Sequence, residues 1–166
     1  MTTTGTLPLT AAEMSAWHAF IRADARVVRL LEAELEAEQR LSLPAYEVLA
    51  HLTEAPENRL RMSDLAAVSV VTPSGLTRVV DRLVREGLVE RQRCATDARV
   101  VYAAVTEAGQ ERVRAAYPTH LRGVRQHLID RLAPEQLAAV RGALEPLTAD
   151  CPGTASNPGT PGTPSA

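Results

Sequence analysis

Apolar residues recur at intervals of three or four along TPSGLTRVVDRLVREG, residues 72–87. That spacing is typical of a helix with one buried face. Thr72 suits the N-cap of this helix, and Pro73 suits its first turn, where a missing N–H group has no helical partner to lose. Gly87 suits the C-terminal end. The pattern therefore predicts a helix that buries residues such as Leu76 and Val80 and exposes hydroxyl groups and arginines.

The segments on either side of this helix predict a winged helix-turn-helix. RMSDLAAV, residues 61–68, predicts a shorter helix with Ser63 as its cap, joined to the next helix by a turn. LVERQR and RVVYAAV, which follow, are rich in β-branched and apolar residues and predict two strands around a polar turn. In such a fold the second helix enters the major groove of DNA with its N-terminal residues at the base edges. Ser74, Thr77 and Arg78 are therefore expected to contact bases.

These stretches resemble the MarR family of bacterial transcriptional regulators. SDLA, TPSGLTRVVDRLVREGLVERQR, the wing-tip residues 97–99 and VYAAVTEAG occur in the order and spacing of that family, within residues 44–109. Val70 and Gly75 are departures, since a glycine and a larger residue are usual at those two positions. The resemblance implies a mainly α fold with a small β-hairpin wing, in which N- and C-terminal dimerisation helices flank the winged helix-turn-helix. It also implies a homodimer that binds an inverted repeat in double-stranded DNA.

Arginines on the second helix and the wing are candidates for further DNA contacts. Arg82 and Arg85 lie beyond the start of the helix and are expected to meet phosphates. Arg99 at the wing tip is expected in the minor groove, where Asp97 could hold its guanidinium group. Any one of these arginines could instead be an ordinary solvated side chain. The expected DNA-binding residues are Ser74, Gly75, Thr77, Arg78, Arg82, Arg85, Arg91, Arg93, Asp97 and Arg99.

A single domain is expected from residues 11–149, with 11–43 and 107–149 as dimerisation helices and 44–106 as the winged helix-turn-helix. Residues 1–10 and 150–166 are expected to be a disordered leader and tail, the tail because it is Pro, Gly, Thr and Ser with nothing to bury.

The first helix carries an apolar stripe from Trp17 to Leu35 that a small winged helix cannot cover alone, so the C-terminal helices or a second copy must do so. Its glutamates at positions 32, 34, 36 and 38 are expected to form an exposed face without a function.

Two more helices are predicted after the wing. Thr106 suits the N-cap of the first, and Pro118 is expected to interrupt and kink it before it resumes. Pro134 suits the start of the last helix. The residues of the first of these helices that are expected to face inward are Leu121, Val124, Leu128 and Leu132. The residues expected to form another apolar stripe along the last helix are Leu137, Val140, Ala143, Leu144 and Leu147.

Composition and charge narrow the class of protein. The 166 residues are enough for one ordinary domain, and only five of them are aromatic, so the core is expected to be aliphatic. The net charge of −2 gives no sign of nucleic-acid binding, but residues 61–99 hold seven arginines against five acids. No apolar run approaches the ~18 residues that span a bilayer. Cys94 and Cys151 make no disulfide framework, so a cytoplasmic protein with reduced cysteines is expected.

The resemblance implies a repressor that a small aromatic or phenolic effector releases from DNA. A pocket between the winged helix and the dimerisation helices could use Trp17, His18, Tyr46 and His51, although Trp17 and Tyr46 also fit a plain core. Two alternatives stay open. One is a redox-responsive regulator, since arginines near Cys94 would favour its thiolate. The other is a winged helix that holds protein partners without specific DNA binding.

Neither an enzyme nor a metalloprotein is expected. The sequence contains no G-x-S-x-G motif and no phosphate-binding glycine loop. The histidines at positions 18, 51, 120 and 127 do not combine with cysteines or carboxylates in a recognisable zinc spacing. We therefore expect no catalytic residues, no metal, no cofactor and no membrane partner.

Overall fold

The computed structural model describes residues 7–93 and 100–148. Within those ranges the chain forms six α-helices and three short β-strands. In chain order they are α1 (Ala11–Gln39), α2 (Leu43–Glu54), β1 (Arg59–Arg61), α3 (Met62–Val68), α4 (Pro73–Arg85), β2 (Val89–Arg93), β3 (Val101–Val105), α5 (Glu107–His127) and α6 (Pro134–Thr148). The predicted fold class, mainly α with a small β-hairpin wing, is confirmed. The predicted tail and the first six residues of the predicted leader lie outside the described ranges.

Helix α4 begins and ends where its sequence predicts. The Thr72 hydroxyl accepts a hydrogen bond from the Gly75 N–H at 3.2 Å, and Pro73 is the first helical residue. Gly87 follows the helix with a φ of +73°, a left-handed conformation that glycine adopts without the steric cost of a Cβ atom. Leu76 and Val80 are buried, as the apolar spacing predicts.

Helix α3 differs from the prediction at its start. Arg61, in an extended conformation, is the N-cap residue, and Ser63 lies inside the helix with its hydroxyl bonded to the Asp64 carboxylate at 3.1 Å. The prediction that Ser63 caps α3 is therefore wrong. The physical reason is that Arg61 is the last residue of strand β1, where it pairs with Tyr102, and α3 begins at the next residue. No residue therefore separates the strand from the helix.

The three strands form an antiparallel sheet in the order β1-β3-β2. Leu60 and Arg91 both pair with Ala103 on the central strand β3. The Ala103 side chain is fully buried. Because side chains alternate along a strand, Leu60 and Ala103 share one face of the sheet, and Arg59 shares the other with Tyr102. The strand expected at Leu60 beside the wing is confirmed.

The core of the winged helix is aliphatic, as the composition predicts. It lies between α2, α3, α4 and the sheet, and α5 adds Val113 and Ala116 to it. Gly109, in the first turn of α5, lies so close to the Leu88 carbonyl and to Val105 that an added Cβ would overlap both. The core residues with essentially no exposed surface are Leu35, Leu41, Val48, Leu49, Leu52, Leu65, Leu76, Val80 and Leu83.

Charged contacts join the C-terminal half of α1 to α5. Glu34 Oε1 lies 2.6 Å from His127 Nε2, and Glu38 accepts hydrogen bonds from Arg122 at 2.5 Å and from Thr119 at 3.0 Å. The hydrogen bond from Arg122, followed by that from Thr119, holds the pKa of Glu38 below its usual value. Glu36 and Glu38 are exposed as predicted, whereas the prediction of an exposed face is wrong for Glu32 and Glu34, which are half-buried. The partners of Glu34 and Glu38 follow 81 to 93 residues later, beyond the reach of a local pattern.

Helix α5 packs on α1 through small side chains rather than leucines. Leu121 and Leu128, expected to face inward, are 42% and 36% exposed. At Gly123 an added Cβ would lie 2.6 Å from Leu31 Cδ2, so the glycine allows α1 to approach. The helix also runs through Pro118 without ending, contrary to the predicted interruption. The buried residues of α5 are Gly109, Val113, Ala116, Thr119 and Gly123.

The apolar stripe of α6 is not covered within one chain. No residue of this helix is buried, and Val140 and Leu147 are 39% and 71% exposed. Leu137 and Leu144 are only half-buried. The predicted apolar stripe therefore stays uncovered in a single chain, since the helices that pack together within it leave α6 outside their core.

Thr106 links the end of α4 to the start of α5, which gives a test of the fold. Its hydroxyl accepts from the Gly109 N–H at 3.1 Å and donates to the Gly87 carbonyl at 2.8 Å. Thr106→Val removes both bonds at nearly constant shape and is expected to lower the free energy of unfolding by about 1–2 kcal/mol. Urea denaturation followed by circular dichroism measures this. Thr106→Ser keeps both bonds and is the control, and equal stability of the two variants would contradict the role of the hydroxyl.

Candidate nucleic-acid interface

The exposed side of α4 is polar along its whole length. Ser74, Thr77 and Arg78 are exposed near its start, because the helical period that buries Leu76 and Val80 turns them outward. Thr77 donates its hydroxyl to the Pro73 carbonyl at 3.0 Å. Within the described structure, the predicted base-contacting side chains therefore lie together on one surface of one helix.

Gly75 lies on the same turn, half-buried rather than exposed. A Cβ built there would meet Thr72 Oγ1 at 3.2 Å and Val71 Cβ at 3.6 Å. The first contact is tight, and it involves the hydroxyl that caps the helix. The absence of a side chain at this position thus leaves room for the Thr72 cap.

Two arginines of this surface are held by neighbouring acids. Arg82 Nε lies 2.8 Å from Glu86 Oε1 on the next turn, and this hydrogen bond is the main reason that the pKa of Arg82 is raised. Arg91 Nη2 on β2 lies 2.9 Å from Asp81 Oδ1 on α4. Exposed pairs of this kind contribute only about 0–1 kcal/mol to stability, so their main effect is to orient the guanidinium groups.

The remaining predicted contacts divide between the helix and the wing. Arg85 is exposed in the last turn of α4, and Arg93 is exposed at the end of β2. Cys94, Asp97 and Arg99 lie outside the described residues, so the predictions for the wing tip stay predictions. The structure thus places eight of the ten expected DNA-binding residues on α4 and β2.

The four residues predicted to bind an effector do not share one environment. Tyr46 on α2 is buried, and burial is the main cause that raises its pKa to about 12. His51, five residues further along α2, is half-buried. Trp17 is 53% exposed and lies 6.5 Å from the Phe20 ring of its own helix, and His18 is also exposed. Tyr46 thus fits the core interpretation, whereas Trp17 does not.

Sequence reasoning missed His120 as a neighbour of this site. Its ring lies 4.5 Å from that of Tyr46, and its buried Nδ1 has no hydrogen-bond partner among the described residues. Burial lowers the pKa of His120, and also that of His51, where the Glu54 charge partly opposes it. No local signal identifies this contact, because it is made where α5 crosses α2.

Within residues 7–93 and 100–148, no helix combines the length and apolarity that a membrane span requires. In the same ranges, no cluster of three or more His, Cys, Asp or Glu side chains is placed to hold a metal ion.

Comparison with known proteins places the chain among transcriptional regulators. The MarR family model matches residues 41–100, from the residue pair before α2 to the start of β3. AbsC, a MarR family transcriptional regulator from Streptomyces coelicolor, is 36% identical with a TM-score of 0.79, over 87% of this chain and 97% of its own. Sco3205 from the same organism, a MarR family transcriptional regulator solved in complex with DNA, is 33% identical with a TM-score of 0.80, over 90% and 98%.

A curated relative matches over a shorter stretch. The transcriptional repressor YetL of Bacillus subtilis is 32% identical over 80 residues. The chain spans about half the length of this relative, 48%, and the match covers 48% of this chain.

The two half-buried histidines, His51 and His120, make stability depend on pH. Because burial lowers the pKa of His51 and of His120, the unfolded chain binds more protons than the folded one as the pH falls below about 6.5, and stability is lost there. Burial raises the pKa of Glu47, which acts in the opposite direction. We expect His51→Gln/His120→Gln to lose less unfolding free energy than the wild type between pH 7.5 and pH 5.5.

Urea denaturation at the two pH values measures this difference. His18→Gln, a substitution of an exposed histidine, is the matched control and should follow the wild type. An unchanged pH dependence in the double variant would rule out the half-buried histidines as its source.

Proposed function

Because the chain belongs to the MarR family of transcriptional regulators, we propose that it represses transcription as a homodimer bound to an inverted repeat in double-stranded DNA. The observation that carries this proposal is the continuous polar surface of α4, with Ser74, Thr77 and Arg78 at its start and arginines along its length. Bidentate arginine and hydroxyl contacts to base edges are the usual means of reading sequence in the major groove. The likeness to Sco3205, solved in complex with DNA, supports it.

Phosphate contacts would then position the dimer on the duplex. Arg82, Arg85, Arg91 and Arg93 lie beyond the base-reading turn, on the rest of α4 and on β2. Contacts of this kind supply affinity that depends on salt but carry no sequence information. Arg99 is proposed for the minor groove, with Asp97 holding its guanidinium group, on the basis of the sequence.

The dimer is supported by the apolar surface that one chain leaves uncovered. Isolated apolar side chains are common on protein surfaces, but here they recur along both α1 and α6. In a two-fold dimer the two copies of α4 would lie one turn of DNA apart, so the half-sites of the repeat should be centred ~10 base pairs apart. The exposed apolar residues of the helices outside the winged helix are Met14, Trp17, Phe20, Ile21, Val28, Leu121, Leu128, Val140 and Leu147.

An effector site is proposed between α2 and α5. The Tyr46 ring lies 4.5 Å from that of His120, and His120 Nδ1 is buried without a partner among the described residues. His51, five residues further along α2, stays a prediction for this site. A small aromatic or phenolic acid offers a ring to stack and an oxygen that a ring nitrogen can bind. Trp17 and His18 stay predictions for this site, because they lie on the exposed side of α1. The name of YetL supports repression as the outcome.

Arg78→Ala tests the base-reading surface. We expect the affinity for a duplex selected from a random pool by the wild-type protein to fall by about 1–3 kcal/mol, because a guanidinium contact to a base edge is lost. Fluorescence anisotropy measures the affinity, and thermal unfolding should be nearly unchanged since Arg78 is exposed. Arg29→Ala, an exposed arginine of α1, is the control.

Equal losses in the two variants would count against sequence reading by α4. Wild-type binding that is weak and indifferent to sequence would instead favour a winged helix that holds protein partners.

Ile21→Glu tests the dimer. Ile21 is 41% exposed in one chain, so a charge there costs little in a monomer but disrupts an apolar interface. We expect the wild type to sediment at twice 17.9 kDa and the variant at 17.9 kDa. Arg29→Glu, with a polar exposed side chain on the same helix, should stay dimeric, and a wild type that sediments as a monomer would contradict the proposal.

A further inference from the structure

The hydroxyl of Thr77 is bonded within its own helix. It donates to the Pro73 carbonyl, four residues earlier, at 3.0 Å. A bond of this kind fixes the side-chain rotamer of a threonine and occupies its hydroxyl hydrogen. Because Thr77 is exposed, its Cγ2 methyl is the part of the side chain that has no bond within the helix. Thr77 therefore presents a methyl group, and not a hydrogen-bond donor, to whatever lies against α4.

Two more hydroxyls at the start of α4 are engaged by the helix or by each other. Thr72 Oγ1 accepts from the Gly75 N–H at 3.2 Å, and it lies 3.3 Å from Ser74 Oγ, within hydrogen-bonding distance. Gly75 itself adds no side chain to this surface. Hydrogen bonding by hydroxyl donors is thus restricted at the start of α4, while Arg78 on the same surface keeps its donors for base edges.

A second side chain that ends in methyl groups is exposed just before the helix. Val70 lies in the turn between α3 and α4, two residues before the Thr72 cap, and it is 81% exposed. Its neighbour Val71 is half-buried and packs against the core, so packing explains Val71 but not Val70. Within the described part of the winged helix-turn-helix, residues 44–93 and 100–106, Val70 is the one large aliphatic side chain that is exposed.

We propose that the start of α4 recognises thymines by their C5-methyl groups, through the Thr77 methyl and the Val70 side chain. The inference rests on the proposed function, in which α4 lies in the major groove. The C5-methyl of thymine is exposed in that groove, and methyl-bearing side chains contact it. Burying it against Thr77 or Val70 removes apolar surface from water, which strengthens binding.

Replacing thymine by uracil tests the contact from the DNA side. Uracil pairs like thymine but lacks the C5-methyl group, which 5-methylcytosine also carries, so the duplex is first selected by the wild type from an unmethylated random pool. We expect the selected half-site to contain thymines, and uracil at the contacted positions to weaken binding about fourfold for each methyl group lost. Uracil in the flanking sequence is the control and should leave the affinity unchanged.

Two variants of Thr77 separate its methyl from its hydroxyl. Thr77→Ser keeps the hydroxyl that bonds to Pro73 but removes the methyl, so it should weaken binding about fourfold for each half-site. Thr77→Val keeps a methyl and the branched shape, so it should bind at least as tightly as the wild type. Fluorescence anisotropy measures the affinities, and thermal unfolding checks that each variant folds. The reverse order of the two variants would mean that Thr77 reads bases by its hydroxyl, and would overturn its assignment.

Combining the protein and DNA changes locates each contact. If Thr77 contacts one thymine, uracil at that position should weaken the wild type and Thr77→Val but should not weaken Thr77→Ser further. Val70→Ala should abolish the effect of uracil at a different position in the same way. A loss on uracil that is equal in all backgrounds would come from the DNA itself and would overturn both assignments.

Other outcomes distinguish the inference from the proposed function. Selective binding by the wild type to a half-site whose thymines can all be replaced by uracil without loss would overturn methyl recognition and leave the regulator intact. A gain on replacing cytosine by 5-methylcytosine, without a loss on uracil, would assign the apolar contact to methylated cytosine instead and would also overturn the proposal. A wild type that selects no sequence would refute the proposed function itself.

Discussion

The burial of one side of α4 decides which of its side chains form the exposed recognition surface. Leu76, Val80 and Leu83 have essentially no exposed area, and each fully buried side chain of this kind contributes about 1.5–3 kcal/mol. The exposed pair between Arg82 and Glu86 contributes at most about 1 kcal/mol. Apolar packing therefore decides which way the helix faces. The hydroxyls and arginines are presented to solvent because the leucines and valines are not.

The scaffold outside the winged helix has two kinds of surface. The C-terminal half of α1 is held to α5 by buried leucines and by the charged contacts of Glu34 and Glu38, so it belongs to the core of its own chain. The N-terminal half of α1 and all of α6 expose apolar side chains instead. Helix α5 connects this scaffold to the winged helix, since Gly109 in its first turn lies against the Leu88 carbonyl and Val105 of β3.

Neighbouring side chains orient arginines at and beside the recognition surface. Asp81 holds Arg91 from α4, and the Tyr102 hydroxyl holds Arg61 from β3. In both cases the partner lies on a different element from the arginine. Each guanidinium group is thus oriented by the packing of a neighbouring helix or strand and not by its own element.

The sequence alone determined the winged helix. Between Thr72 and Gly87 the cap, the proline, the apolar period and the terminal glycine all favour the same helix, and the strands that follow have their own composition. Signals that agree over fifteen or so residues need no knowledge of the rest of the chain. The same local signals located Thr106 at the start of α5.

Only the tertiary structure decided which sides of the flanking helices are buried and which side chains meet. Leucine periodicity pointed to Leu121 and Leu128, but α1 packs on Gly123 and Thr119, because close approach of two helices selects small residues over large ones. Some contacts join residues tens of positions apart, such as that of Glu34 with His127 and that of Tyr46 with His120. Such contacts depend on how whole helices and strands are placed against one another, and no local pattern of residues contains that information.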